Sequence, residues 1–204
     1  MTGTSKSILF EPTKIKNMGL RNRFVRSATY EGCADDGYVT GKQVNLYATL
    51  SEGGVGLIIT GITYVHDSGR FSKFQNSIAG DEFIDGLKKL TSVAHQWGAR
   101  IAVQLFHAGR EARFPKSSDR VPIAPSFLEA DPYFKGGYRA MTEDEIWKIV
   151  DTFGDGAKRA REAGFDAVQI HGAHAYLLSQ FLSPYTNRRG DKWGGGLENR
   201  LRLH

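Results

Sequence analysis

The feature that most constrains this chain is an alternation of short apolar runs with amphipathic stretches. Phe24-Val25 leads into Arg26-Ser27-Ala28-Thr29. Leu57-Ile58-Ile59-Thr60-Gly61, Ile101-Ala102-Val103-Gln104-Leu105 and Ala167-Val168-Gln169-Ile170-His171 follow in turn. None alternates strictly between apolar and polar residues, so each reads as a strand buried on both faces, as in a parallel sheet. Helical patterns lie between them. Thr40 is placed to cap a helix through Val44, Tyr47, Ala48 and Ser51, which Gly53-Gly54 stops. Asp81 is placed to cap a second, through Ile84, Leu87, Thr91 and Ala94, ending at Gly98. The third is the clearest. Thr142 and Glu145 have capping-box spacing, Ile146, Ile149, Val150, Phe153, Ala157 and Ala160 recur at helical spacing, and Gly164 supplies the stop. This order predicts an α/β fold with parallel strands.

Ahead of the first strand, Ile8 to Leu20 carries the turn pairs Glu11-Pro12 and Asn17-Met18-Gly19, and reads as a small β-hairpin. With 204 residues, 40% of them hydrophobic, the chain can bury the core of one domain over residues 1–204. The net charge of +5 is spread among 22 acidic residues, with clusters at Arg21/Arg23/Arg26, Lys158/Arg159/Arg161 and Arg188/Arg189/Lys192. None is interleaved with aromatics or set on a recognition helix, which argues against nucleic-acid binding. The single cysteine, Cys33, excludes an internal disulfide framework. Met1 to Ser7 lacks an apolar signal core, and no apolar run approaches the ~20 residues that span a bilayer. A cytoplasmic protein without membrane contact is expected.

Two long connections follow strand ends. Residues 106–141 carry Pro115, Pro122, Pro125 and Pro132, and residues 172–198 follow the fourth strand. Loops this long inside a domain are usually functional, and in a parallel barrel the C-terminal face of the strands is where sites are built. The string from Ile170 to Pro184, IHGAHAYLLSQFLSP, begins at such an end. His171 and His174 are two imidazoles able to donate hydrogen bonds to one developing oxyanion, and the Tyr176 phenol beyond them can deliver a proton. Read alone, the His-x-x-His pair is equally a structural pair of strand-end histidines. A metal site has less support, because no further ligands stand at regular spacing.

The wider context narrows these alternatives. FDAVQIHGAHAYLLSQFLSP, then Asn187-Arg188-Arg189, Asp191-Lys192-Trp193-Gly194-Gly195 and Leu197 to Arg200, together resemble the signature of the Old Yellow Enzyme family. The stretches Leu9 to Thr29, Gly53 to Gly61 and Ile101 to Arg110 are similar to the family's hairpin and first strand, second strand and third strand. The resemblance runs from Leu9 to the end of the chain. It implies the first half of a (β/α)8 barrel, about four βα units behind an N-terminal hairpin, with FMN at the C-terminal face and NAD(P)H as reductant. Residue by residue, it implies that Ser27, Ala28 and Thr29 lie along the flavin, that Gly61 and Ile62 approach it, and that Gln104 bonds its pyrimidine end. The alternative for Gln104 is a barrel-interior amide satisfied by backbone. His171 and His174 are implied to grip the oxygen of an activated alkene, an enone, enoate or nitroalkene. The resemblance further implies that hydride from flavin N5 reaches the β-carbon and that Tyr176 protonates the α-carbon. His107 and Arg110 match the family as well, with a structural role equally open. Asn187, Arg188, Asp191, Glu198 and Asn199 are read as fixing the last loop and starting a fourth helix.

Two departures stand out. Tyr30 occupies the place of one subgroup's redox-tuning cysteine, a role Cys33 does not inherit, and Gly32 stands where that subgroup has a substrate-stacking tyrosine. The family's phosphate-binding loops follow its seventh and eighth strands, outside these 204 residues. The chain alone is therefore expected to bind FMN weakly or not at all. The competing readings are a non-catalytic half-barrel that self-associates or complements a missing half, and a basic binding module, which the buried-strand pattern disfavours. Larger relatives with an added iron–sulfur domain are not separated from simple ene-reductases by these residues.

Overall fold

Parallel pairing organises the computed structural model, which describes residues 7–113 and 121–204. The readings that concern Met1 to Lys6 and Pro115 lie outside these residues. The hairpin is β1 (Thr13–Ile15) and β2 (Met18–Leu20), paired antiparallel with Ile15 opposite Met18. Its turn is Lys16-Asn17, with Lys16 at φ 48°, so Met18 and Gly19 belong to the strand rather than to the expected turn. Then come β3 (Val25–Arg26), α1 (Gly41–Glu52), β4 (Leu57–Tyr64), β5 (Asn76–Ser77), α2 (Ile84–Gln96) and β6 (Arg100–Phe106). The remainder is β7 (Ile123–Ala124), β8 (Arg139–Ala140), α3 (Glu143–Glu162), β9 (Ala167–Ile170), α4 (Leu177–Leu182) and α5 (Leu197–Leu201). The main sheet runs β3-β4-β6-β9, all parallel, with β5 beside the end of β4. All four strands therefore end on the same side.

Three sequence expectations need correction. The first strand pairs only over Val25–Arg26, opposite Leu57 and Ile58, and residues 27–30 continue without ladder bonds where β4 enters its irregular stretch between Ile59 and Ile62. Asp81 does not cap α2. It opens a 3-10 turn, Asp81–Phe83, and its carboxylate pairs with Arg159. The two long connections also hold short elements: β7 and β8 pair in the first, and α4 lies in the second. The other helix ends follow the sequence. The Thr40 hydroxyl accepts from Gln43 N–H, and Thr142 and Glu145 form the reciprocal capping box, with Arg139 chelating the Glu145 carboxylate.

The core lies between the sheet and the helices. Ile101, Val103 and Leu105 point to α1–α3 and are fully buried with Ile58, Leu87, Leu90 and Ala160. Burying each such Ile, Val or Leu side chain contributes about 1.5–3 kcal/mol. Ala102 faces the other way and meets Leu57 and Leu20, so the hairpin closes the N-terminal end of the sheet. Arg21 fixes that closure by donating to the carbonyls of Ser51, Val55 and Trp97 at the ends of α1 and α2. Val168 and Ile170 of β9 share the helix-facing side with their partners Val103 and Leu105, yet are 41% and 45% exposed.

Candidate active site at the strand ends

Strand alternation places Gln169 and His171 on the same face of β9, and the backbone N–H of His171 extends the ladder to Leu105 O at 3.0 Å. The chain then turns sharply. His174 and Ala175 both take left-handed backbone, φ 57° and 58°. Such residues cost about 1–3 kcal/mol each and persist where their surroundings determine them. The turn returns the chain so that Tyr176 caps α4.

Three side chains converge as a result. The rings of His171 and His174 lie 5.3 Å apart between centroids, and the Tyr176 ring lies 5.2 Å from His171. Phe106 backs the group, edge-on to both His171 and Tyr176. His171 is buried while His174 is exposed. Burial holds the His171 imidazole below its ordinary pKa, and the neighbouring His174 adds to this, so it is neutral at pH 7. Ala173 N–H reaches its Nδ1 at 3.4 Å, which favours the tautomer with the proton on Nε2. Burial pushes the Tyr176 phenol above its ordinary range, helped by Glu111 and opposed by Arg113. It thus keeps its proton.

A second group lies one step along the sheet. The Gln104 side chain donates to Gln169 Oε1 at 2.7 Å, a partner the sequence reading did not foresee, although Gln169 stands two residues before His171. Ile62 is the register partner of Gln104, past a bulge in β4 between Ile59 and Ile62. The bulge is stitched by Thr60, whose hydroxyl accepts Gln104 N–H at 3.0 Å. Gly61 sits within it. A Cβ there would fall 2.5 Å from Glu31 Oε2 and 2.7 Å from Thr29 O, so only glycine admits the segment 29–31. Glu31 is held by Arg26 and by the Tyr47 hydroxyl, and burial raises its pKa.

The structure thus brings Thr29, Gly61, Ile62 and Gln104 together. Ser27 and Thr29 are exposed and Ala28 half-buried, at the β3 edge, with β4 and β6 between them and the histidines. A line of rings crosses that distance: Tyr30 meets Phe71 at 6.4 Å and Phe71 meets Tyr176 at 5.8 Å. Tyr30 is tethered through its hydroxyl to Ser72 Oγ at 2.7 Å, and its ring fills the space beside Gly32.

His107 and Arg110 serve the loops. His107 is fully buried, accepts Gly109 N–H on Nδ1 and meets Ser68 Oγ through Nε2, and burial with the nearby His66 lowers its pKa to about 3. Arg110 forms a buried pair with Asp131. Asn187 bonds the carbonyls of Phe181 and Trp193, and Asp191 pairs with Arg189. Among the described residues, no three His, Cys, Asp or Glu side chains are grouped to hold a metal, and no helix is long and apolar enough to cross a membrane.

Known proteins resemble the chain in sequence and in fold. Residues 8–204 match the model of the NADH:flavin oxidoreductase / NADH oxidase family. An NADPH dehydrogenase of Geobacillus sp. (strain WCH70) is 41% identical over 200 residues, which are 97% of this chain and 57% of that protein. Morphinone reductase, solved in complex with tetrahydroNAD, superposes with a TM-score of 0.88 at 33% identity, over 96% of this chain and 57% of its own. Old Yellow Enzyme from Pichia sp. AKU4542 gives a TM-score of 0.89 at 31% identity, over 97% and 54%. The chain therefore spans little more than half the length of these relatives.

Proposed function

The chain belongs to the NADH:flavin oxidoreductase / NADH oxidase family, and from that premise we propose that it carries the alkene-activating part of an FMN-dependent oxidoreductase that reduces activated C=C bonds with NAD(P)H. The observation that carries this reading is the convergence of His171, His174 and Tyr176 at the strand ends.

The residues present fit a flavin. Gln104 and Gln169 form an amide pair on the interior of the sheet, able to match a flat ring edged with N–H and C=O groups. The segment 27–30 carries no ladder bonds, and its residues Ser27 and Thr29 are exposed to the approach of such a ring. Ser27, Ala28, Thr29, Gly61, Ile62 and Gln104 would hold it. When bound, FMN supplies the hydride that NAD(P)H first delivers to it.

The protein's own part is acid–base and electrostatic. Neutral His171, with its Nε2 proton, and His174 beside it donate to the carbonyl, carboxyl or nitro oxygen of the substrate. This draws electron density toward that oxygen and leaves the β-carbon electrophilic. Tyr176, protonated at neutral pH, gives its proton to the α-carbon. Phe106, Phe71 and Tyr30 supply an apolar wall beside the reacting bond.

The reading is tested by following NADPH oxidation at millimolar FMN with cyclohexenone as acceptor. Enone-dependent turnover that Tyr176→Phe lowers by about 10²–10⁴, while flavin reduction by NADPH continues, is expected. Equal loss of both half-reactions contradicts it. A second reading, a half-barrel that associates with itself, is favoured by the exposed Val168 and Ile170 of β9. Mass against concentration tests it, a monomer at all concentrations counting against it.

A further inference from the structure

The left-handed pair His174-Ala175 needs something to hold it, and the residue placed to do so is Gln180. Its side chain is fully buried. Its amide nitrogen donates to Ala175 O at 2.6 Å and to Ala108 O at 3.3 Å, and its Oε1 accepts Arg110 N–H at 3.3 Å. One amide thus joins the turn after β9 to the turn after β6. The loop after β6 is shaped around it: a Cβ on Gly109, at φ 63°, would fall 2.3 Å from Gln180 Oε1. The two turns are joined again where Leu177 N–H donates to His107 O at 3.1 Å. Gln180 is itself anchored, its N–H donating to Tyr176 O at 2.8 Å and its carbonyl accepting the Thr186 hydroxyl at 2.6 Å.

We propose that Gln180 is a positioning residue, an amide clamp that holds the His174-Ala175 turn in its left-handed form and so sets the distance between His174, Tyr176 and the strand-bound His171. Only an amide serves all three backbone partners, because two require a donor and one an acceptor. A carboxylate lacks the donor, and a thioether of the same length has no donor and only a weak acceptor. Without the clamp, the non-glycine turn relaxes toward ordinary backbone and His174 leaves the convergence point, while the strands that carry His171 stay in place. The inference rests on reading these three side chains as the substrate-facing group. Its readout needs neither cofactor nor turnover, so it can fail while the functional reading stands.

Hydrogen exchange and ring NMR signals of the unliganded chain provide the test. Gln180→Met is expected to accelerate exchange of the Tyr176 and Leu177 amides about tenfold or more, the loss of about one or two net hydrogen bonds. It is expected to shift the His174 ring signals, with the Val103 and Leu105 amides of β6 unchanged. Adding Ala175→Gly should recover much of the change, since glycine takes positive φ without strain. Uniform acceleration across the chain, or unmoved Tyr176 and Leu177 amides, overturns the proposal. If Gln180→Met does not fold, the unaltered chain decides. The Gln180 side-chain NH2 protons must exchange far more slowly than those of an exposed glutamine, and exchange at the exposed rate overturns the clamp.

Discussion

His171 and Tyr176 differ in what their removal should do. On the proposed function, replacing His171 by Ala deletes one of two donors to the substrate oxygen, with an expected loss of about 10²–10³ in kcat for alkene reduction. On the same proposal, Tyr176→Phe removes the proton donor but keeps the ring against Phe106 and Phe71, so alkene reduction is expected to fall by about 10²–10⁴ with little change in stability. Steady-state kinetics beside urea unfolding separates the two variants. His107 acts on stability instead. Its folded pKa of about 3 lies below the ordinary 6.5, so the unfolded chain takes up the proton first as pH falls. Its contribution is complete above about pH 6.5 and is lost toward pH 3, by up to about 1.4 kcal/mol per pH unit. Urea midpoints from pH 7 to pH 4 should fall less steeply for His107→Gln, and an unchanged slope would count against this. The histidines and tyrosine were legible because chemistry-bearing residues clustered after an apolar run. Gln169 and Gln180 were not, because a glutamine in a strand or helix gives no signal until its partners are placed in space.

At the level of elements, the helix caps and the β4 bulge carry separable effects. Thr142→Ala removes the hydroxyl that accepts Glu145 N–H and should cost about 1 kcal/mol, read as a shift in the urea midpoint without a change in cooperativity. Gly61→Ala forces a Cβ into Thr29 O and Glu31, and should displace the segment 29–31 and weaken any flavin binding more than it lowers stability. The capping box was readable because its two residues lie within one turn. The bulge was not, since it exists only in the register between β4 and β6. Asp81 misled for a related reason. It has the composition of a cap, but Arg159 of α3 competes for its carboxylate, a contact between residues far apart in sequence.

Across the whole molecule, four parallel strands end on one side and place the histidine pair, the glutamine pair and the aromatic line on a single face. The order of strands and helices was visible in the sequence because buried parallel strands lack polar alternation, as at Leu57–Tyr64 and Arg100–Phe106. The relation between the face's parts was not, since it depends on the His174-Ala175 turn and on the rings that join Tyr30 to Tyr176. Central to the proposed function is that His171 and His174 act as converging donors to one anionic oxygen. The most direct measurement is a titration of the chain with benzoate, a flat carboxylate, followed by the imidazole nitrogen NMR signals. Both rings should shift along one binding curve, and either His171→Ala or His174→Ala should abolish the response of the other. Independent curves, or a response that survives in either variant, would contradict the site.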